Sequence, residues 1–360
     1  MKQTTLYKSH QKHGAKLVEF AGFAMPIQYE SIIAEHKAVR NSVGIFDVSH
    51  MGEVFIRGEK ALDFVQHITV NDASKLFDGR VQYSAMCYED GGIVDDLLVY
   101  KISDTEYMLV INASNIDKDV EWMNSNNKFG VTISNESDEY SLIAVQGPES
   151  RNLIEKLFMT GFPMEYYHFT YAEFQGREMI VSRTGYTGEL GYEIYFKGNE
   201  DFANSLWDAI FEAGKELGVK PAGLGCRDSL RLEMGYCLYG NDIDAGTNPL
   251  EAGLGWITKL GKESFIGKDA ILRSRQQGLG RKLTPLIADS RVFPRHGYDV
   301  MCGEEKAGVV TSGTLSPMLD KGIALAYVDS KFLDGEHQLS FSIRNTAVPA
   351  RIVKLPFIQK

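Results

Sequence analysis

The residues best placed to do chemistry are acids set into apolar sequence. Asp95 and Asp96 follow the pair Gly91-Gly92 and interrupt the run Ile93-Val94 and Leu97-Leu98-Val99-Tyr100. A strand that apolar wants burial on both faces, so two carboxylates at its mouth are out of place. Adjacent strand residues point to opposite faces, so at most one acid can enter a given pocket. Taken alone, the pair reads as a solvated hairpin end, because Gly and Asp are ordinary turn residues. A second candidate is the glycine-rich turn Gly185-Tyr186-Thr187-Gly188-Glu189-Leu190-Gly191. A third is Arg227, near the start of a helix after Gly223 and Gly225. A cation there opposes the helix dipole, and a bound anion or a carboxylate partner offsets that cost. Together these features favour a site for a polar, aromatic-sized ligand, with a carboxylate for charge or proton handling.

Other chemistries lack their signatures. Gly223 and Gly225 could begin a dinucleotide fingerprint, but Asp228 stands where its third glycine belongs. There is no GxSxG elbow and no Cys/His nucleophile pair. The four cysteines (Cys87, Cys226, Cys237 and Cys302) have no CxxC spacing, and the eight histidines form no HExxH or HxxxH group. That argues against a metal site and a disulfide framework and fits a reducing cytoplasm. A net charge of -10 disfavours nucleic-acid binding. No apolar run approaches the roughly 20 residues of a membrane span, and the N-terminal residues carry no signal or transit peptide.

At 360 residues, the chain suggests two or three domains. Pro26 ends any helix in residues 17–26, and helical spacing resumes over 31–40. Residues 43–52 read as a strand with a polar tip, 53–58 as a strand, and 59–67 as a short helix. A hairpin over 97–102 and 107–112 leads to Asn112-Ala113-Ser114-Asn115, which offers caps for a helix over 116–123. Strands follow at 131–135 and 140–146, then a helix opened by Pro148. Strands at 178–184 and 192–196 precede a helix over 201–217, with Phe202, Leu206, Ile210 and Phe211 on one face. Residues 267–281 are helical and basic. From 281 onward, short runs at 283–288, 306–311, 322–328, 338–343 and 348–353 alternate with turns, as in an all-β sandwich or jelly roll.

The strings taken together carry more than any one of them. Phe20-Ala21-Gly22-Phe23-Ala24-Met25-Pro26, Phe46-Asp47-Val48-Ser49-His50-Met51-Gly52, Gly91-Gly92-Ile93-Val94-Asp95-Asp96-Leu97 and Ser182-Arg183-Thr184-Gly185-Tyr186-Thr187-Gly188-Glu189 occur in order. Arg227-Asp228-Ser229-Leu230-Arg231-Leu232-Glu233, Leu238-Tyr239-Gly240-Asn241-Asp242-Ile243-Asp244 and Phe265-Ile266-Gly267-Lys268 continue the series. Over nearly the whole chain, the sequence resembles the glycine cleavage system T-protein family of aminomethyltransferases.

The resemblance implies an α+β fold, a three-domain cloverleaf around a central folate channel with a C-terminal β-barrel or jelly-roll-like domain. It divides the chain into 1–50 with 140–255, then 51–139, a linker over 256–280, and an all-β domain over 281–360. It implies tetrahydrofolate as acceptor substrate, with no metal, flavin or nicotinamide. The donor is the aminomethyl group on the lipoyl arm of H-protein, and the system also includes P-protein and L-protein. The products are ammonia, methylene-tetrahydrofolate and dihydrolipoyl H-protein. By motif, Asp96 lies beside the folate nitrogens, where it orients the attacking nitrogen, accepts its proton, or stabilises an iminium-like carbon. Glu193 hydrogen-bonds the pterin and Arg227 supports it. Tyr83, Met51, Asn112, Tyr186 and Trp256 line the cavity. Asp95, facing away, keeps a solvated or hydrogen-bonded turn role. Family members often extend beyond the Pro-Phe near the end. No residue is carried over beyond Pro356-Phe357.

Two alternatives have their own signatures. A folate-binding accessory protein in iron–sulfur or tRNA maintenance carries a Lys-Gly-Cys-Tyr-x-Gly-Gln-Glu string, whereas residues 260–268 here contain no cysteine. A demethylase, or the folate half of a sarcosine-type oxidoreductase, would bring a flavin domain.

Overall fold

The computed structural model describes residues 1–159, 165–344 and 346–359. The chain forms two compact units. The first comprises residues 1–65, 73–82 and 97–228, and the second 66–72, 83–96 and 229–360. The division falls between Asp96 and Leu97, inside the strand Ile93–Ser103.

The first unit contains a six-stranded sheet in the order Phe169–Phe174, Arg177–Ser182, Gly191–Lys197, Tyr140–Gln146, Gly44–Asp47 and Lys220–Pro221. The last pair is parallel and the others antiparallel. The helix Glu200–Ala213 covers this sheet for reasons written in its sequence. The Asn199 side chain accepts from Phe202 N at 3.1 Å, capping the first turn, and Glu200 and Asp201 complement the dipole. Phe202, Ala203, Leu206, Trp207 and Ile210 are buried with Leu153, Ile154, Val145 and Ile194. Each large apolar side chain so buried contributes about 1.5–3 kcal/mol.

A five-stranded sheet has the order Val81–Cys87, Ile93–Ser103, Glu106–Ile111, Gly52–Arg57 and Thr132–Asn135. Along Ile93–Ser103, Asp95, Leu97 and Val99 are buried on one face, while Asp96 and Leu98 on the other are partly exposed. Asp95 is 0% exposed, so it is no solvated turn residue. The strand begins at Ile93, and Asp95 points to its buried side.

The C-terminal strands close on themselves. Arg281–Ala288, Gly322–Asp329, Glu305–Leu315, Asp299–Cys302, Leu339–Ile343 and Thr346–Ile352 form a barrel, the last pairing with the first. Leu286, Val300, Val310, Ala324, Ala326 and Phe341 fill it. Of sandwich, jelly roll and barrel, closure selects the barrel, which leaves no edge strand. Asp299–Cys302 was not expected: four residues between Gly297 and Gly303 are too short for an alternation signal.

Two local expectations change. Phe23–Gln28 is a strand containing Pro26, paired with Lys16–Phe20 in a two-stranded sheet. Proline is tolerated on such an edge. The helix after Pro148 begins at Ser150, leaving the proline in the preceding turn.

Candidate functional site

Asp96 is positioned by a tight turn. Tyr88 N donates to Gly92 O at 2.8 Å and Gly91 N to Tyr88 O at 2.9 Å, with Gly91 at φ +90°. A Cβ on Gly92 would lie 1.9 Å from Ala245 O, so only glycine fits there. Beyond the turn, Ile93 N donates to Asp244 O at 3.1 Å and Ile93 O accepts from the Tyr239 hydroxyl at 3.1 Å. The Tyr83 hydroxyl donates to Asp96 Oδ2 at 2.9 Å. The Trp256 ring lies 5.9 Å from that of Tyr83, inclined by 31°, and is 61% exposed. Its neighbours Leu254 and Ile257 are buried and anchor it. Three expected site residues of the second unit, Asp96, Tyr83 and Trp256, thus come together.

In the first unit, Glu193 feels the charge of Arg227, which in turn lies over Tyr186. Thr184 Oγ1 donates to Glu193 Oε2, and the Tyr195 hydroxyl donates to the same oxygen at 3.3 Å. The Tyr100 and Tyr195 hydroxyls are 2.9 Å apart, and Tyr100 donates to Ser182 Oγ at 3.1 Å. Burial raises the pKa of the Glu193 carboxyl. The Thr184 hydrogen bond, the charge of Arg227 and the Tyr195 hydrogen bond act against that rise. Burial also pushes both phenols up, so they remain donors. The Arg227 guanidinium lies 4.5 Å over the Tyr186 ring, a cation–π contact that holds both planes.

Met51 and Asn112 sit at the ends of adjacent strands. Gly52 pairs with Ile111, and the antiparallel register sets the next residues outward, Met51 and Asn112, side by side. Close to Met51 in sequence are two buried groups that motif reading did not assign. His50 is 1% exposed, and its Nδ1 has no hydrogen-bond partner. Burial and the charge of Arg227 lower its pKa to about 3, so the ring is neutral. Glu53 is buried, and its carboxyl is raised well above the usual range by burial and by Glu193. Thr184 and Tyr100 also went unassigned. Tyr195 carried a signal, being two residues from Glu193 on the same strand face.

Among the described residues, no group of three His, Cys, Asp or Glu side chains could hold a metal ion. None of the described helices is long and apolar enough to cross a membrane.

A closed C-terminal barrel following an α+β body, with an acid set beside aromatic side chains in each unit, is the outline of an enzyme for a flat polar substrate. Residues 6–262 match the family described as GCVT N-terminal domain, and residues 281–359 the glycine cleavage T-protein C-terminal barrel domain. An aminomethyltransferase of Halothermothrix orenii is 51% identical over 360 residues, covering 99% of this chain and 100% of the relative. One from Flavobacterium psychrophilum is 52% identical over 363 residues, covering all of both chains. The crystal structure of glycine cleavage system aminomethyltransferase T from Bartonella henselae superposes with a TM-score of 0.92. It is 32% identical, and the match covers 99% of this chain and 98% of that one. The chain belongs to the glycine cleavage T-protein family and is an aminomethyltransferase. These similarities do not favour the accessory-protein alternative.

Proposed function

We propose that Asp96 is the catalytic carboxylate of a transfer from aminomethyl-lipoyl H-protein to tetrahydrofolate. The observation that carries this reading is the 2.9 Å hydrogen bond from Tyr83 to Asp96 Oδ2. It fixes one oxygen of a partly exposed carboxylate beside an exposed indole ring. In the reaction, the methylene carbon gives up its bonds to sulfur and to the departing ammonia and gains bonds to two folate nitrogens. The two N–H protons displaced from those nitrogens go to the sulfur and to the ammonia. Positive charge builds on the carbon as ammonia leaves. Asp96 stabilises that charge and hydrogen-bonds the attacking N–H, a preorganised electrostatic role.

Glu193 accepts from two adjacent pterin N–H groups, as a carboxylate accepts from a guanidinium. The hydrogen bonds it accepts from Thr184 and Tyr195 both fall on Oε2, which supports a role for the carboxyl in ligand binding. Arg227 balances that charge, while Met51, Asn112 and Tyr186 shape the flat contact area. The lipoyl arm of H-protein is the donor, and P-protein and L-protein complete the system. Four cysteines without a disulfide support a cytoplasmic location.

The test is ammonia release from aminomethylated H-protein with and without tetrahydrofolate. We expect release to depend on tetrahydrofolate, and Asp96→Asn to lose about 10²–10³-fold in turnover with folate affinity changed only slightly. Folate-independent release would remove the acceptor assignment. Full turnover in the Asn variant would remove the role of Asp96.

A further inference from the structure

The strand Gly52–Arg57 carries another acid into the first unit. The backbone of Glu53 is fully used: its N donates to Ser137 Oγ at 3.0 Å, and its carbonyl accepts from Glu136 N at 2.9 Å. Strand alternation puts Glu53 on the face of Phe55, whose ring stacks 5.7 Å from Tyr140. The charged and titratable groups it faces are Glu193 and Tyr195 on Gly191–Lys197 and Tyr140 on the neighbouring strand. The residue is 1% exposed, and its carboxyl makes no hydrogen bond or ion pair among the described residues. Buried carboxyls are almost always partnered, and an orphan costs the full desolvation of the group. Three residues earlier, His50 Nδ1 is a buried polar atom without a partner. Both groups lie within the electrostatic reach of the Glu193 and Arg227 pair.

We propose that Glu53 is a further ligand-contacting residue, donating a hydrogen bond to the ring carbonyl beside the pterin edge that Glu193 accepts from. The inference rests on the tetrahydrofolate reading above. Two acids that repel one another, with burial raising both, do not both ionise readily, and the partners decide which holds the proton. Glu193 has Thr184, Tyr195 and Arg227 to favour its charged form. Glu53 has none of these and faces the negative charge of Glu193, so the proton resides on Glu53. A neutral carboxylic acid is a donor as well as an acceptor. The ligand then meets an accepting carboxylate for its N–H edge and a donating acid for the adjacent carbonyl. The site thereby selects a ring carrying a carbonyl over one carrying an amino group at that position.

The test measures tetrahydrofolate affinity by calorimetry, and ligand-free melting temperature, in wild type, Glu53→Gln and Glu53→Leu. The amide retains a donor, so Glu53→Gln should bind within about threefold of wild type. Glu53→Leu should bind about tenfold or more weakly, since the ring carbonyl loses its donor. Its ligand-free melting temperature should not fall, because the carboxyl removed has no partner to lose. Wild-type affinity in Glu53→Leu overturns the contact, and Glu53→Gln as weak as Glu53→Leu overturns the donor role. A wild-type protein that does not bind tetrahydrofolate overturns the functional reading and this inference together. Loss confined to the Leu variant of a binding-competent enzyme supports the inference.

Discussion

Acids in the two units are treated in opposite ways. In the second unit, Asp242 is saturated: it accepts from Arg231 Nη1 at 2.7 Å, Ser312 Oγ at 2.9 Å, Thr311 Oγ1 at 2.5 Å and Leu238 N at 2.9 Å. Arg231 is matched in turn, donating also to Ser312 Oγ and Tyr236 O. The set ties the helix Leu224–Met234 to the barrel strand Glu305–Leu315. In the first unit, the hydrogen bonds to the Glu193 carboxyl fall on one oxygen, and the Glu53 carboxyl has none among the described residues. A saturated acid has no valence left for a ligand and is structural, whereas an unsatisfied one is destabilising unless a ligand completes it.

The largest effect that tests this contrast is on stability. Arg231→Met leaves Asp242 buried without its counter-ion and should cost about 3–5 kcal/mol in denaturant unfolding. A loss below about 1 kcal/mol would put Asp242 in the same class as Glu53 and dissolve the distinction. No motif marked this pair as an anchor, since both residues sit in strings that read as family signature.

The next effect is smaller and depends on pH. The folded pKa of Glu53 is raised, so the protein is penalised once the carboxyl is free to ionise in the unfolded chain. The stability associated with Glu53 is complete below its unfolded pKa, about 4.5, and is lost as pH rises through its higher folded value. Glu53→Gln removes that loss. Its melting temperature relative to wild type should therefore climb between pH 5 and pH 8, with Glu193, Tyr195 and Tyr140 the titratable groups facing it. A difference that stays flat over this range would assign Glu53 an ordinary ionised state.

How much of this was legible follows from the range of each signal. Gly91-Gly92 and the apolar run after it announced the turn and the strand, and alternation separated Asp95 from Asp96. Alternation has no sign, however, and which face was buried came from packing, so of the two roles open to Asp95, solvated or hydrogen-bonded, the solvated one falls. Five barrel strands were readable from turn residues and apolar runs, but closure depends on Thr346–Ile352 returning to Arg281–Ala288. Glu53 was invisible for a similar reason. A glutamate after Met51-Gly52 reads as the solvent side of a strand, and its burial depends on a strand some 140 residues onward.

The smallest effect concerns surface cations, where the same distinction between satisfied and unsatisfied groups applies. In the basic segment around helix Lys268–Gln277, Lys268 Nζ donates to the carbonyls of Lys262 and Glu263. Arg281 donates to Gly246 O at 2.9 Å and lies over the Tyr327 ring. Those two cations brace the fold. Arg273 and Arg275 are exposed and make no ion pair among the described residues. If an acidic H-protein docks on this face, these two supply the attraction, which acts mainly on encounter and is weak per exposed pair. Reversing both to Glu should raise KM for aminomethylated H-protein about fivefold at low salt, with KM for tetrahydrofolate unchanged. The difference should shrink as salt is added. An unchanged KM would move the docking face elsewhere, and an equal rise in both constants would mean that the substitutions disturb the fold rather than a surface.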